Sequence, residues 1–313
     1  MTRQFAIVFP GQGSQSVGML GGLADDWPVI AETFAEASQV LGWDLWRLVR
    51  EGPKEDLDQT QRTQPAMLVA GVAVWRVWLA AGGLRPDRMA GHSLGELTAL
   101  VCAGALDFAA AVRLVAERAR LMREAVPEGA GAMAAVLGLA DDEVRALCAA
   151  HAQGEVLEPV NFNAAGQVVI AGQRTAVERA AAAAKGAGAK RALVLPVSVP
   201  SHCALMQPAV ERFTEILASV AIRAPEILVL HNVSAASATV EDIPALLARQ
   251  LASPVRWVEI VRGIADQGAT AMVEAGPGKV LASLVKRIDQ RLESFAVADP
   301  AGLAAALEGI GHA

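Results

Sequence analysis

Short apolar runs that end in glycine or proline alternate with longer stretches whose apolar residues recur every three or four positions. The alternation predicts strands and helices in turn. QFAIVF (residues 4–9) reads as a buried strand, and it feeds PGQGSQ, where two glycines permit a tight loop with exposed amides. QPAMLVAGVAVWRVWLAAGG (64–83) follows as a helix with Pro65 in its first turn and a Gly82-Gly83 stop. DRMAG (87–91) is then a short strand and SLGELTALVCAG (93–104) a helix. From Gly131 to Pro196 the rhythm becomes strand GAMAAVLGL, helix DDEVRALCAAH, strand EPVNFN, strand QVVIAG, helix RTAVERAAAAAKGAG and strand KRALVLPV. That is a split β-α-β-β-α-β order, a ferredoxin-like arrangement. Asp141 heads its first helix, NAAGQ turns its hairpin, and Gly186 and Gly188 close its second helix. Beyond it, MQPAVERFTEIL, EDIPALLARQL and WVEIVRGIADQ read as helices, and EILVLHNV and ATAMVEAG as strands returning to the first sheet. The expected fold is α/β, with a discontinuous large domain at 1–128 and 199–313 and an inserted ferredoxin-like subdomain at 129–198.

Composition narrows the class. A chain of 313 residues with 53% hydrophobic and 19% charged residues is that of a compact globular protein. The alanine run AAAAAK at 180–185 reads as plain helix. The longest apolar stretch, AMLVAGVAVW (66–75), stops at Arg76, short of the roughly 18 residues that span a bilayer. The N-terminal apolar run breaks at Pro10, too short for a signal segment, so a cytoplasmic protein is expected. Cys102, Cys148 and Cys203 are too few and scattered for a disulfide framework or metal cage, and read as buried free thiols. A formal net charge of −6 argues against general nucleic-acid binding and obliges any acidic partner to meet a local basic patch.

Chemistry is suggested first by MAGHSLGELTAL (89–100), where Ser93 stands inside Gly-x-Ser-x-Gly at a strand-to-helix junction. A sharp turn there lifts the hydroxyl above the sheet and aims a helix N-terminus at the reaction, so the core is expected to be hydrolase-like with a parallel sheet. Among five histidines, His92 adjoins the serine, His151 and His312 sit at a helix end and the C-terminus, and His231 ends a strand. His202, in VSVPSHCALM just past a strand and Pro200, is the best candidate base. The carboxylate that usually stands behind such a histidine is hard to find, since Asp141 and Asp142 are better explained as a helix cap; a backbone carbonyl is an alternative. Arg118 resists a bland reading. In DFAAAVRLVAERARLMREAV (107–126), Phe108, Val112, Val115, Ala119 and Met122 form the core stripe, and Arg113, Glu117, Arg120 and Glu124 the solvated face. Arg118 projects between Ala111, Leu114 and Ala125, roughly 120° from the middle of the charged face at 100° per residue. Snorkelling, a structural ion pair and a substrate carboxylate all remain open for it.

FPGQGSQSVGM, GHSLGELTALVCAGAL, AVPEGAGAMAAVLGL, PVNFNAAGQVVIAG, VSVPSHCALMQPA and EAGPGKVL, in this order and spacing, closely resemble the malonyl-CoA:acyl-carrier-protein transacylases of bacterial type II fatty-acid synthesis. The likeness covers essentially the whole chain. It implies that Ser93 is the acylated nucleophile and His202 its base. It also implies that the amides of Gln12 and Leu94 form the oxyanion hole, that Arg118 binds the malonyl carboxylate, and that the backbone oxygen of Gln250 stands behind His202 in place of an acid. An active site in the cleft between the two lobes, malonyl-CoA and an acidic, phosphopantetheinylated acyl carrier protein as partners, and no cofactor or metal are implied as well. Leu97, Ala119 and His231 depart from the residues common in the family, and VPSH with an apolar residue after Ser93 resembles malonyl-selective members.

The implied reaction is ping-pong transfer of malonyl from coenzyme A to the carrier's thiol, serving fatty-acid synthesis. A malonyl transferase for a polyketide synthase or malonate decarboxylase is the nearest alternative. A serine hydrolase or thioesterase on the same elbow, or a catalytically silent module, fits less well with Arg118 and the Ser93/His202 pair. Lys185, Lys190 and Arg191 on the insert, or Lys279, Lys286 and Arg287 on the main lobe, are candidate docking cations.

Overall fold

The computed structural model describes residues 3–197 and 199–311. Ser198, at the expected insert boundary, and His312 lie outside them. The strands are β1 (Phe5–Phe9), β2 (Arg88–Gly91), β3 (Gly131–Leu137), β4 (Leu157–Ala164), β5 (Gln167–Gln173), β6 (Arg191–Val194), β7 (Leu228–Leu230), β8 (Ala271–Ala275) and β9 (Glu293–Val297). They form two sheets. The first has the order β7-β2-β1-β8-β9 with every pair parallel, and the second has the order β4-β5-β3-β6 with every pair antiparallel. The second sheet and its two helices, Asp141–Ala152 and Arg174–Ala183, follow the β-α-β-β-α-β order, so the α/β core carries a ferredoxin-like insert.

The unbroken apolar run of β1 reflects burial on both faces. Phe5, Ile7 and Phe9 join the large cluster that includes the helices Thr60–Ala80 and Phe108–Glu124, while Ala6 and Val8 face Trp257, Ile260 and Ile264 on the other side. Strand β8 is likewise wholly buried. The insert has its own apolar cluster, built from Val136, Val144, Leu147, Val168, Ile170 and Val177 among others.

Several elements differ from expectation. The long helix begins at Thr60, which puts Pro65 inside it instead of in the first turn. Pro65 removes one N–H there, and the unbroken burial from Thr63 to Trp75 outweighs that loss. EILVLHNV pairs only over Leu228–Leu230, since β7 is an edge strand and His231 and Asn232 leave the ladder to meet Glu96. Likewise KRALVLPV pairs only over Arg191–Val194, after which Leu195 and Val197 turn into a cleft. Asp141 is the first helical residue and not the cap; Ala140 precedes the helix and its amide donates to Glu143 Oε2 at 2.7 Å. The pattern also gives no notice of four short helices between Gly21 and Leu57, or of the closing helix, strand and helix at Val280–Ile288, β9 and Pro300–Ile310.

Candidate active site

Both glycines of Gly-x-Ser-x-Gly are dictated by how closely helix and strands approach. A Cβ on Gly91 would lie 1.8 Å from the Gly95 carbonyl carbon, and one on Gly95 would lie 2.1 Å from the Phe9 oxygen. With the strand so near the helix, Ser93 must turn sharply, and it does so in the left-handed region at φ 53°. Such a conformation costs a serine about 1 kcal/mol or more. Asn232 fixes the turn: its Oδ1 accepts from the Ser93 amide at 2.7 Å and its Nδ2 donates to the Gly91 carbonyl at 2.7 Å.

Ser93 Oγ lies 2.7 Å from His202 Nε2, and His202 Nδ1 lies 2.7 Å from the backbone oxygen of Gln250. A carbonyl can only accept, so Nδ1 carries the proton and Nε2 is left to receive the serine hydroxyl's. His202 is buried, and burial brings its pKa down to about 3, helped by the neighbouring Arg118 charge and opposed by the Gln250 carbonyl. The imidazole is therefore a neutral base across the physiological range. His92 also lines the cleft, but its Nε2 lies 2.8 Å from Asn163 Oδ1 and its ring lies against Trp257.

Arg118 is 1% exposed, which excludes snorkelling. Nor is it in a structural ion pair among the described residues. Nη1 donates to Gln64 Oε1 at 2.6 Å and Nη2 to Gln250 Oε1 at 2.8 Å; Nη2 also lies 3.4 Å from Ser93 Oγ. Among the described residues its buried Nε has no partner. Burial lowers its pKa to about 10, with Glu96 pulling the other way, so the guanidinium remains charged. A charged fork held by neutral acceptors beside the Ser93 hydroxyl can take a carboxylate.

Gln12 and Leu94 line the same cleft, which holds a cavity of about 110 Å³ and is partly open to solvent. Leu94 stands at the head of the helix Gly95–Cys102, just before the amides of Gly95, Glu96 and Leu97, which bond the oxygens of His92, Ser93 and Leu94 in turn. Met133, Leu195 and Val197 close the cleft from the insert's side, so it lies between the two sheets. All six residues expected from the sequence are thus within one neighbourhood. Gln64, Glu96 and Asn232 belong to it too, beyond what sequence reasoning singles out; a lone glutamate in the otherwise apolar GELTALVC is the available signal. The three cysteines are buried, and burial pushes the Cys148 and Cys203 thiols up to about 12 and Cys102 well above its ordinary value. Among the described residues no group of His, Cys, Asp and Glu is arranged to hold a metal ion, and no helix is long and apolar enough to cross a membrane.

The family model for the acyl transferase domain matches residues 6–305. The malonyl CoA-acyl carrier protein transacylase of Escherichia coli (strain K12) is 56% identical over 306 residues, covering 97% of this chain and 99% of that protein. An acyl carrier protein S-malonyltransferase crystal structure from Vibrio cholerae O1 biovar eltor superposes with a TM-score of 0.93 at 57% identity, covering 96% and 99% of the two chains. A malonyl-transacylase solved in complex with a type II PKS acyl-carrier protein superposes at 0.96 with 54% identity, covering 98% and 99%. With a serine on a sharp strand-to-helix turn, a neutral histidine and a buried cation that no carboxylate pairs among the described residues in one cleft, and with this likeness running the length of the chain, the protein belongs to the acyl transferase domain family and, within it, to the malonyl CoA-acyl carrier protein transacylases.

Proposed function

We propose that this enzyme transfers malonyl from malonyl-CoA to the phosphopantetheine thiol of an acyl carrier protein through a Ser93 acyl-enzyme, supplying fatty-acid synthesis in the cytoplasm. The observation that carries the reading is the position of Ser93 Oγ, 2.7 Å from a neutral histidine nitrogen and 3.4 Å from a buried guanidinium that no carboxylate touches among the described residues. In the first half-reaction His202 Nε2 takes the hydroxyl proton as Oγ attacks the thioester carbon. The amides of Gln12 and Leu94 receive the developing oxyanion. Collapse breaks the carbon–sulfur bond, and His202 returns its proton to the departing CoA sulfur. In the second, the carrier's thiol gives its proton to His202 and attacks the Ser93 ester; Oγ leaves with the proton from Nε2. Gln250's carbonyl keeps the imidazole in the required tautomer throughout. Arg118 selects acyl groups that end in a carboxylate, and no cofactor or metal takes part. The domain limits 1–128, 129–198 and 199–313 belong to this proposal, supported by a separate apolar cluster in the insert.

Mixing the enzyme with malonyl-CoA and recording its intact mass tests the reading. A malonyl adduct that maps to Ser93 and disappears on adding carrier protein is expected; release as free malonate alone would make the enzyme a hydrolase. The similar enzyme solved with a type II PKS carrier favours a second reading in which the acceptor belongs to polyketide synthesis. Comparing kcat/KM for the two carriers from the same organism decides between them.

A further inference from the structure

Glu96 is fully buried, three residues after Ser93, in the first turn of the helix Gly95–Cys102. Its Oε2 accepts from the Asn232 amide at 2.9 Å and from Gln250 Nε2 at 2.6 Å, and its Oε1 lies 2.7 Å from His231 Nδ1. A backbone amide and a side-chain NH₂ can only donate, so Oε2 carries no proton. Two of these partners lead to site groups. Asn232 holds the Ser93 turn. Gln250 places its backbone oxygen on His202, its Nε2 also 3.0 Å from the Ser93 carbonyl, and its Oε1 on Arg118.

A buried primary amide has two orientations, and Glu96 decides between them. With Nε2 toward the carboxylate, Oε1 faces the guanidinium and both contacts are attractive. Turned over, an oxygen would meet a carboxylate and an NH₂ would meet a guanidinium, two repulsive contacts in a dry interior. The amide therefore relays the sense of the carboxylate to Arg118. A direct Arg–Glu pair would occupy the fork and cancel its charge; one neutral residue between them leaves donors free. Gln64 does the same at Nη1, again with a neutral oxygen.

We propose that Glu96 is a positioning residue for recognition of carboxylate-bearing acyl thioesters, acting through the Gln250 amide to aim Arg118 at the cleft and serving as its counter-charge at one remove. The proposal rests on the reading of Arg118 as the carboxylate's partner. Glu96 opposes the lowering of the Arg118 pKa by burial, so it favours the charged form that the carboxylate needs.

The test compares Glu96→Gln, Glu96→Asp and Gln250→Met with wild type by three measurements: kcat/KM for malonyl-CoA, kcat/KM for acetyl-CoA, and the rate at which an uncharged fluorophosphonate modifies Ser93. Glu96→Gln lacks the charge, and whichever way its amide turns only one of the two carboxylate positions keeps an acceptor, so its malonyl-to-acetyl ratio should fall by about tenfold or more, through KM for malonyl-CoA. Gln250→Met breaks the same relay at its other end and should lower the ratio likewise. Glu96→Asp keeps the charge and should recover part of it. Phosphonylation, which needs no carboxylate contact, should decline less than malonyl transfer. An unchanged ratio in Glu96→Gln, or equal losses in all three measurements, overturns the proposal. If Glu96→Gln does not fold, an unchanged ratio in Gln250→Met does so. Failure of the Arg118 reading gives a different result, a wild-type enzyme that does not prefer malonyl-CoA to acetyl-CoA.

Discussion

Arg118 holds one Nη 3.4 Å from Ser93 Oγ, and its other contacts are the neutral oxygens of Gln64 and Gln250. A malonyl group on Oγ would bring a carboxylate to the cation that lacks one. Replacing Arg118 with alanine leaves that anion partly buried and unpaired, a loss of about 3 to 5 kcal/mol by comparison with broken buried pairs. At about 1.4 kcal/mol per tenfold, malonyl transfer should fall roughly 100- to 4,000-fold. Acetyl-CoA lacks the carboxylate and should be spared or improved, while lysine should recover only part of the malonyl rate, having charge without the fork. The ratio of kcat/KM for the two thioesters checks this. An unchanged ratio would assign recognition to another group.

The two residues of the base pair give a prediction about pH. His202 has its pKa at about 3, so it remains neutral well below the ordinary histidine range. The acid limb of the acylation rate should not show a fall at pH 6 to 7 of the kind a solvated histidine gives. Stopped-flow acylation between pH 5 and pH 8 checks it; a half-maximal rate near the ordinary histidine value of 6.5 would show that the imidazole is solvated in the working enzyme. Ser93→Ala should abolish the adduct altogether, with no transfer of the role to Cys102 or Cys203, whose thiols burial keeps protonated.

How far the sequence speaks follows from where physical signals are local. Ser93 is legible because its motif records a steric fact, the approach of Gly95 to the Phe9 oxygen. Arg118 stands out because it breaks a helical stripe. The ferredoxin-like order comes from alternation in short strands separated by Gly-rich turns. Gln250 and Gln12 carry no local mark, since the roles proposed for the Gln12 amide and the Gln250 carbonyl use backbone groups that any residue has, and only the family likeness points to them. Glu96 shows in the sequence only as a lone glutamate in a largely apolar helix, and its role is not legible because its partners, His231, Asn232 and Gln250, lie 135 or more residues away. The helices between Gly21 and Leu57 are short, each with 13 residues or fewer, too brief to establish a period.

The two candidate docking clusters prove to be neighbours across the hairpin turn of the insert. Arg287 bonds the Ala165 carbonyl and Gln167 side chain, Gly138 bonds the Gly166 carbonyl, and the Lys190 amide bonds the Leu137 carbonyl. Lys190, Arg191, Lys279, Lys286 and Arg287 are all exposed, and the proposed docking site for an acidic carrier draws on both clusters. Lys279→Glu with Lys286→Glu should raise KM for carrier protein about tenfold at low salt, less at high salt, and leave acylation by malonyl-CoA unaffected. Equal losses in both half-reactions would remove the docking role.

The last prediction sets Glu274 against His202. Glu274 is buried on β8 at the head of the helix Val280–Ile288, with Oε2 accepting from the Ala282 amide at 2.8 Å, and burial raises its pKa from 4.5 to about 7. Between those values the folded protein holds a proton that the unfolded chain has released, so this group makes stability fall as pH rises. His202 acts in the opposite sense. Between about 3 and 6.5 the unfolded chain holds a proton that the folded protein refuses, so stability falls as pH drops. From pH 4.5 to 6.5 the two effects oppose each other and largely cancel. Glu274→Gln keeps an oxygen for the Ala282 amide and removes the titration, which unmasks His202. Relative to wild type, the variant should lose stability on acidification through that window by up to about 1.4 kcal/mol per pH unit. Urea unfolding of both proteins across the window measures the difference directly, and other titrating groups are common to both and drop out. Parallel stability curves would show that Glu274 is ionised in the folded protein, stabilised by the helix amides more than it is penalised by burial.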